Sequence, residues 1–249
     1  MIKEDMKNPI MASVAGTGSM ALMILSTYAK PWIGQAAYGI WLFAILLHVI
    51  LIVYFTITFL CKLQMPKVFA SYYIVYVGIA VAAITAPAYE QTAIVAAAFW
   101  FGFVSLILLL ILVTYRYVTV KEVPDPAKPL ICIYAAPASL CVAGYVQSVT
   151  PKSFGFLMAL FVLATVLYLF ALVKAVGYLK MPFYPSYAAF TFPFVISAIA
   201  AKQTMACAAK LGHPLLALSG LVLVETVIAV VLVVYTYIRF MMFLTAKNK

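Results

Sequence analysis

The sequence predicts an all-α integral membrane protein with about eight transmembrane helices. Hydrophobic residues make up 67% of the 249 residues and charged residues only 9%, with a mean hydropathy of +1.15. Soluble domains, by contrast, are about half apolar and a quarter charged. Long apolar runs follow one another, and about 20 apolar helical residues cross a bilayer core. The runs are too long and too continuous for barrel strands, so helices are predicted.

Eight apolar segments, labelled α1 to α8, form one predicted membrane domain over residues 1–249. They pair as four helical hairpins at about 9–62, 66–117, 128–180 and 182–245. The segments are predicted at Pro9–Tyr28, Trp32–Leu60, Val68–Pro87, Thr92–Tyr115, Pro129–Val149, Phe154–Tyr178, Tyr184–Ala201 and Pro214–Leu244.

Basic residues are unevenly divided between the two ends of these helices. Twelve lie on the side of the N-terminus, namely Lys3, Lys7, Lys62, Lys67, Arg116, Lys121, Lys128, Lys174, Lys180, Arg239, Lys247 and Lys249. Only Lys30, Lys152, Lys202 and Lys210 lie opposite. Cytoplasmic loops carry the excess of Lys and Arg, so both termini are predicted to be cytoplasmic. The same placement explains the net charge of +10 without a nucleic-acid partner.

The hairpins repeat. The basic exits of the even helices recur about every 60 residues, and hairpin repeats are common in transporters. The entries repeat as well, because Leu63-Gln64-Met65-Pro66 leading to Ser71-Tyr72 resembles Leu179-Lys180-Met181-Pro182 leading to Ser186-Tyr187.

Odd and even helices differ in composition. The even helices are dominated by Leu, Ile, Val and Phe, which suits a lipid-facing outer position. The odd helices are rich in small, hydroxyl and helix-weakening residues, which favours an inner ring around a path. The alternative is that small residues only allow close packing. The candidate lining or kink residues are Thr17, Gly78, Pro137, Ser139, Thr191, Pro193 and Ser197.

Two ionisable residues lie within spans, His48 near the centre of α2 and Glu225 near the centre of α8. Buried charges in membranes usually face partners. Glu225 is interpreted either as a proton-coupling carboxyl or as a hydrogen-bonded structural residue, and the outer position of both helices favours the structural role.

No H-E-x-x-H motif or paired intramembrane aspartates are present, which argues against an enzyme. No metal site or cofactor is predicted.

The whole chain resembles the tellurite-resistance/dicarboxylate transporter family, related to plant slow anion channels and fungal malate and sulfite transporters. The likeness is carried by Asn8-Pro9 through Ser19-Met20, Val77-Gly78-Ile79-Ala80, Lys128-Pro129-Leu130 with Ala135-Ala136-Pro137-Ala138, and Ala189-Phe190-Thr191-Phe192-Pro193. The resemblance implies an inner ring of odd helices lining a pore, with Phe192 as its gate and Pro193 bending the helix around it.

The resemblance also implies the function. It predicts transport of small inorganic or dicarboxylate anions across the cytoplasmic membrane, by a channel or a proton-coupled carrier, in a homotrimer within lipid. Relatives have five hairpins and this chain shows four, so the first hairpin is interpreted as missing. The alternative function is therefore a non-transporting or truncated paralogue that acts as a membrane scaffold.

Overall fold

The computed structural model describes residues 2–247, apart from the side chains of residues 2, 3, 92–94 and 247. Over this range the chain forms helices and no strand, which confirms the all-α class. Seven of the helices in the described range are long and apolar enough to cross a membrane. Met1, Asn248 and Lys249 of the predicted domain lie outside the described residues, as do the side chains of Lys3 and Lys247.

The seven continuous spans agree with the prediction in order and position. They are α1 (Pro9–Ile33), α2 (Ala36–Leu60), α4 (Thr92–Thr119), α5 (Asp125–Ser148), α6 (Phe154–Tyr178), α7 (Pro185–Lys210) and α8 (Leu218–Lys247). The predicted and observed bounds of α6 coincide. The prediction ended α7 too early, at Ala201, because Lys202 and Gln203 lower the hydropathy there. The alanine-rich stretch that follows is nonetheless strongly helix-forming.

The third segment is the exception. It consists of two short helices, Tyr72–Tyr76 and Ala80–Tyr89, separated by a turn centred on Gly78. The N–H groups of Val77 and Gly78 both donate to the carbonyl oxygen of Tyr73, at 2.9 and 3.2 Å, so the regular helical ladder stops there. The predicted eight spans are therefore seven continuous helices and one broken segment, α3.

The chain divides into two compact units. The first consists of the residues up to Glu122 together with Gln147–Pro151, and it contains α1 to α4. The second consists of Val123–Val146 and the residues from Lys152 onward, and it contains most of α5 with α6 to α8. Each unit thus contains two of the four predicted hairpins. The assignment of both units to a single domain stays a prediction.

In every hairpin the odd segment is more buried than its even partner. Within the most apolar 18 residues of each span, the buried share is 39% in α1 and 28% in α2, 94% in α5 and 39% in α6, and 56% in α7 and 17% in α8. Nearly all of α3 up to Ala83 is buried, against 33% of α4. The even helices expose large apolar side chains that lipid can cover. The odd segment is therefore the more buried member of each hairpin, while the predicted inner ring of odd helices around a path stays a prediction.

The odd segments are also the irregular ones. Their helical hydrogen-bonding pattern changes at Ala15 in α1, at Gly78 in α3, between Tyr134 and Ala135 in α5, and at Thr191 in α7. In α5 and α7 the change is from a 3-10 helix to an α-helix. These positions recur about every 60 residues, the interval typical of a structural repeat. The even helices are regular, apart from a π-helical turn at the end of α2.

Candidate functional site

Phe192 is the first residue of the α-helical part of α7. Its side chain is partly exposed, whereas those of Phe190 and Phe194 are fully buried. The ring of Phe190 lies 4.8 Å from that of Tyr187, and the ring of Phe194 lies 5.6 Å from that of Tyr168, measured between centroids. Among the described residues, no such ring pairing involves Phe192. It is therefore the least restrained of the three phenylalanines.

The backbone around Phe192 is a junction between two kinds of helix. The 3-10 turn ends at Thr191, which has φ −98° and ψ −94° and whose hydroxyl donates to the Ala188 carbonyl at 2.7 Å. Pro193 is the second residue of the α-helix that follows. Proline suits this place because N–H groups in a first helical turn have no intrahelical partner. Pro193 thus begins a helix, and the bend lies at the junction before it.

Ser139 of α5 and Ser197 of α7 lie together in the second unit. Their hydroxyl oxygens are 3.1 Å apart, and both side chains are buried. Each hydroxyl also lies within hydrogen-bond distance of the Ala135 carbonyl oxygen, at 2.8 Å from Ser139 and 3.1 Å from Ser197. Pro137 is the third residue of the α-helical part of α5, close to the junction as Pro193 is in α7. Hydrogen bonds therefore connect α5 and α7 close to the point where each changes from a 3-10 helix to an α-helix.

The break in α3 is held by a histidine from α2. His48 is fully buried, and its Nε2 donates to the Val75 carbonyl oxygen at 3.0 Å. A neutral imidazole with the proton on Nε2 accepts at Nδ1. The Ser19 hydroxyl lies 2.7 Å from Nδ1 and 2.9 Å from the Gly16 carbonyl oxygen, so these two acceptors share its single proton. His48 therefore links α1, α2 and α3, and it pairs with a carbonyl that the broken helix leaves free.

A glycine is required at position 78 because neighbouring atoms leave no room for a side chain there. A Cβ atom there would lie 2.1 Å from the Ile74 carbonyl oxygen, 2.8 Å from Met20 Sδ and 3.0 Å from His48 Cε1. Contacts under about 3.0 Å force neighbouring atoms to move.

Thr17, the other candidate in the first unit, is exposed, and its hydroxyl donates to the Val14 carbonyl oxygen at 2.7 Å.

Glu225 lies two turns into α8 and not near its centre, because the helix begins at Leu218 and not at the predicted Pro214. The side chain is 2% exposed, and its Oε2 has no hydrogen-bond partner within residues 2–247. The Thr204 hydroxyl on α7 is likewise buried without a partner among the described residues. The proton-coupling and structural interpretations of Glu225 both stay predictions.

Two arginine contacts, one fully buried and one half-buried, were not predicted from the sequence. Arg116 at the end of α4 is fully buried, and its Nη2 donates to the Pro66 carbonyl oxygen at 3.4 Å and to that of Glu122 at 3.3 Å. Arg239 near the end of α8 donates from Nη2 to the Met181 carbonyl oxygen at 3.0 Å. Pro66 and Met181 belong to the two Leu-x-Met-Pro motifs, so the sequence repeat marks where each arginine binds. The repeated motif was thus a sequence signal for these contacts. The count of basic residues at the helix ends used the same arginines only to predict the orientation in the membrane.

The described residues contain no group of three or more His, Cys, Asp or Glu side chains arranged to hold a metal ion. The predicted lining residues fall in both units. Within the first unit Gly78 is brought together with His48, and within the second Ser139 is brought together with Ser197.

A family model supports the sequence resemblance. The model of the voltage-dependent anion channel family matches residues 1–243. No curated protein matches the chain.

Proposed function

The chain belongs to the voltage-dependent anion channel family, and we propose that it conducts small anions through a central pore lined by the odd segments and gated by Phe192. Family membership and seven apolar helices identify an integral membrane protein of an anion transport family.

The state of Phe192 is the observation that carries the proposed gate. The side chain is partly exposed at a helix junction, between two phenylalanines that are fully buried. An apolar ring that protrudes into a narrow pore blocks it by sterics and by dewetting, and a rotamer change reopens it. A ring that is already locked by packing could not serve in this way. Phe192 combines the size needed to block with the freedom needed to move.

The proposed path attracts anions without a fixed charge at its centre. The hydroxyls of Thr17, Ser139, Thr191 and Ser197 all lie at hydrogen-bond distance from backbone carbonyl oxygens of their own segments or neighbours. An anion passing them therefore competes with a weak local acceptor and is held only loosely. Weak binding favours rapid release, and basic residues near the mouths supply a positive field that raises the local anion concentration.

The candidate substrates are C4-dicarboxylates such as malate, and chloride, nitrate, sulfite and tellurite. We further propose that the protein lies in the cytoplasmic membrane with both termini in the cytoplasm, as the distribution of Lys and Arg favours. We also propose that the protein assembles as a homotrimer with one pore in each protomer.

Anion efflux from liposomes tests the gate. Protein with Phe192→Ala is expected to release trapped chloride or malate at least about tenfold faster than wild type, because the side chain that blocks the path is gone. Phe101→Ala is the matched control, since Phe101 is 43% exposed on the outer helix α4 and its loss should leave the flux unchanged.

The same assay separates the alternatives. An equal increase in anion efflux with Phe101→Ala would show that any loss of aromatic packing increases leakage. Phe192 would then not be a gate. No flux from wild type or from Phe192→Ala, with both proteins folded, would favour a non-transporting scaffold.

A further inference from the structure

A cavity of about 280 Å³ lies in the first unit, at the end opposite Arg116. It is bounded by the turn between α1 and α2 and the turn between α3 and α4. Its principal lining side chains are Lys30, Gln35, Tyr38, Tyr89, Glu90 and Gln91. Drug-sized ligands occupy pockets of about 300–1,000 Å³. This cavity therefore suits a smaller, polar ligand.

The floor of the cavity is a fixed aromatic cluster. The ring of Tyr89 lies 5.6 Å from that of Tyr38 and 5.1 Å from that of Trp41, centroid to centroid. Trp41 is fully buried and donates from Nε1 to the Thr85 hydroxyl at 2.8 Å. The Tyr89 hydroxyl donates to Ser26 Oγ at 2.9 Å. These contacts leave the floor preformed, as binding sites for small molecules usually are.

The walls carry one positive and one negative charge that do not pair. Lys30 Nζ bonds the Ala88 carbonyl oxygen and lies 5.4 Å from the centre of the Tyr89 ring. Glu90 is exposed and forms no ion pair with Lys30, since the salt bridges found in the described part of the chain lie elsewhere. Two opposite charges that share a cavity without neutralising each other suit a ligand that carries both signs.

The backbone at Glu90 supports a role for its side chain. Glu90 has φ +57°, the left-handed conformation that favours glycine. A long charged residue there costs stability, and such strain is found preferentially at ligand sites.

The surroundings place the cavity at the membrane surface. Lys30 lies between Tyr28 and Trp32, which are 73% and 88% exposed at the end of α1. Exposed Tyr and Trp at the end of a span are typical of the headgroup region. Zwitterionic groups that combine a phosphate and a primary ammonium are present at this depth.

We propose that this cavity binds a phosphoethanolamine group, with Lys30 and the amides of Gln35 and Gln91 on the phosphate and Glu90 on the ammonium. The group can come from a phosphatidylethanolamine headgroup or from a soluble phosphoethanolamine ester. The residues of this site belong to the first unit, whereas Phe192 belongs to the second.

Lipid titration of the purified, delipidated protein tests this site, with bound ligand counted by native mass spectrometry. Wild type is expected to bind short-chain phosphatidylethanolamine at least about fivefold more tightly than phosphatidylglycerol, which lacks the ammonium. Glu90→Gln should remove that preference, and Lys30→Gln should weaken the binding of both lipids. Lys210→Gln, an exposed lysine of the second unit, is the matched control and should change neither.

Two arms distinguish the sources of the group. Glycerophosphoethanolamine that binds as tightly as the short-chain lipid identifies a soluble ligand, and much weaker binding identifies the lipid headgroup. Equal affinity of wild type for the two lipids, or undiminished preference in a folded Glu90→Gln protein, would overturn the proposal. Thermal unfolding without lipid shows that each variant is folded.

Discussion

Replacing Gly78 with alanine is expected to destabilise the first unit strongly. The new methyl group would lie 2.1 Å from the Ile74 carbonyl oxygen and 3.0 Å from His48 Cε1. Met20 Sδ, at 2.8 Å, belongs to a flexible side chain that can move aside. The Ile74 carbonyl is backbone and His48 is held by two hydrogen bonds, so neither can yield cheaply. Overpacking costs about 1–3 kcal/mol, and the backbone clash puts Gly78→Ala at about 3 kcal/mol.

Thermal unfolding in detergent measures this cost. At about 2–4 °C per kcal/mol for a chain of this length, Gly78→Ala should lower Tm by about 6–12 °C. Gly39→Ala is the control, because a methyl group on Gly39 of α2 would meet nothing within 4 Å beyond the backbone of its own helix. That substitution should leave Tm unchanged or raise it by a few degrees, since alanine favours a helix by about 1 kcal/mol. A Tm for Gly78→Ala at or above that of wild type would refute the close-packed break in α3.

Three further substitutions test the contacts that hold the odd segments. His48→Phe should cost about 1–3 kcal/mol in unfolding experiments, because it leaves the carbonyl at the break without a donor, and an unchanged Tm would contradict this. Arg116→Gln should destabilise more than Arg239→Gln in the same measurement, since only the first arginine is fully buried, and the reverse order would count against the buried contact. A double-mutant cycle of Ser139→Ala and Ser197→Ala should give a coupling energy of about 0.5–1 kcal/mol, whereas strict additivity would mean that the hydroxyls do not interact.

The sequence predicted the spans well because lipid imposes a simple rule on length and hydropathy. It named Gly78 as a candidate lining or kink residue but predicted one continuous span from Val68 to Pro87, since that segment is as apolar as an unbroken helix. The break depends on contacts made across helices, namely the close approach of His48 to Gly78 and its bond to Val75. Such contacts are between residues far apart in the chain and leave no local periodicity.

The candidate site was predicted residue by residue, but the relations among its residues were not. The sequence placed Ser139 and Ser197 on odd segments without indicating that their hydroxyls meet at 3.1 Å. It singled out Phe192 through resemblance, whereas the partial exposure of that ring between two buried ones emerged only from the packing. Side-chain exposure depends on tertiary neighbours, which composition does not specify.

If Phe192 closes a path selective for anions, removal of its ring opens a current that anions carry. The reversal potential of the Phe192→Ala protein in a planar bilayer, under a salt gradient, tests it most directly. We predict a current that reverses close to the equilibrium potential of chloride, with little or no current from wild type under the same conditions. A current that reverses close to the equilibrium potential of the cation, or at zero, would contradict the claim.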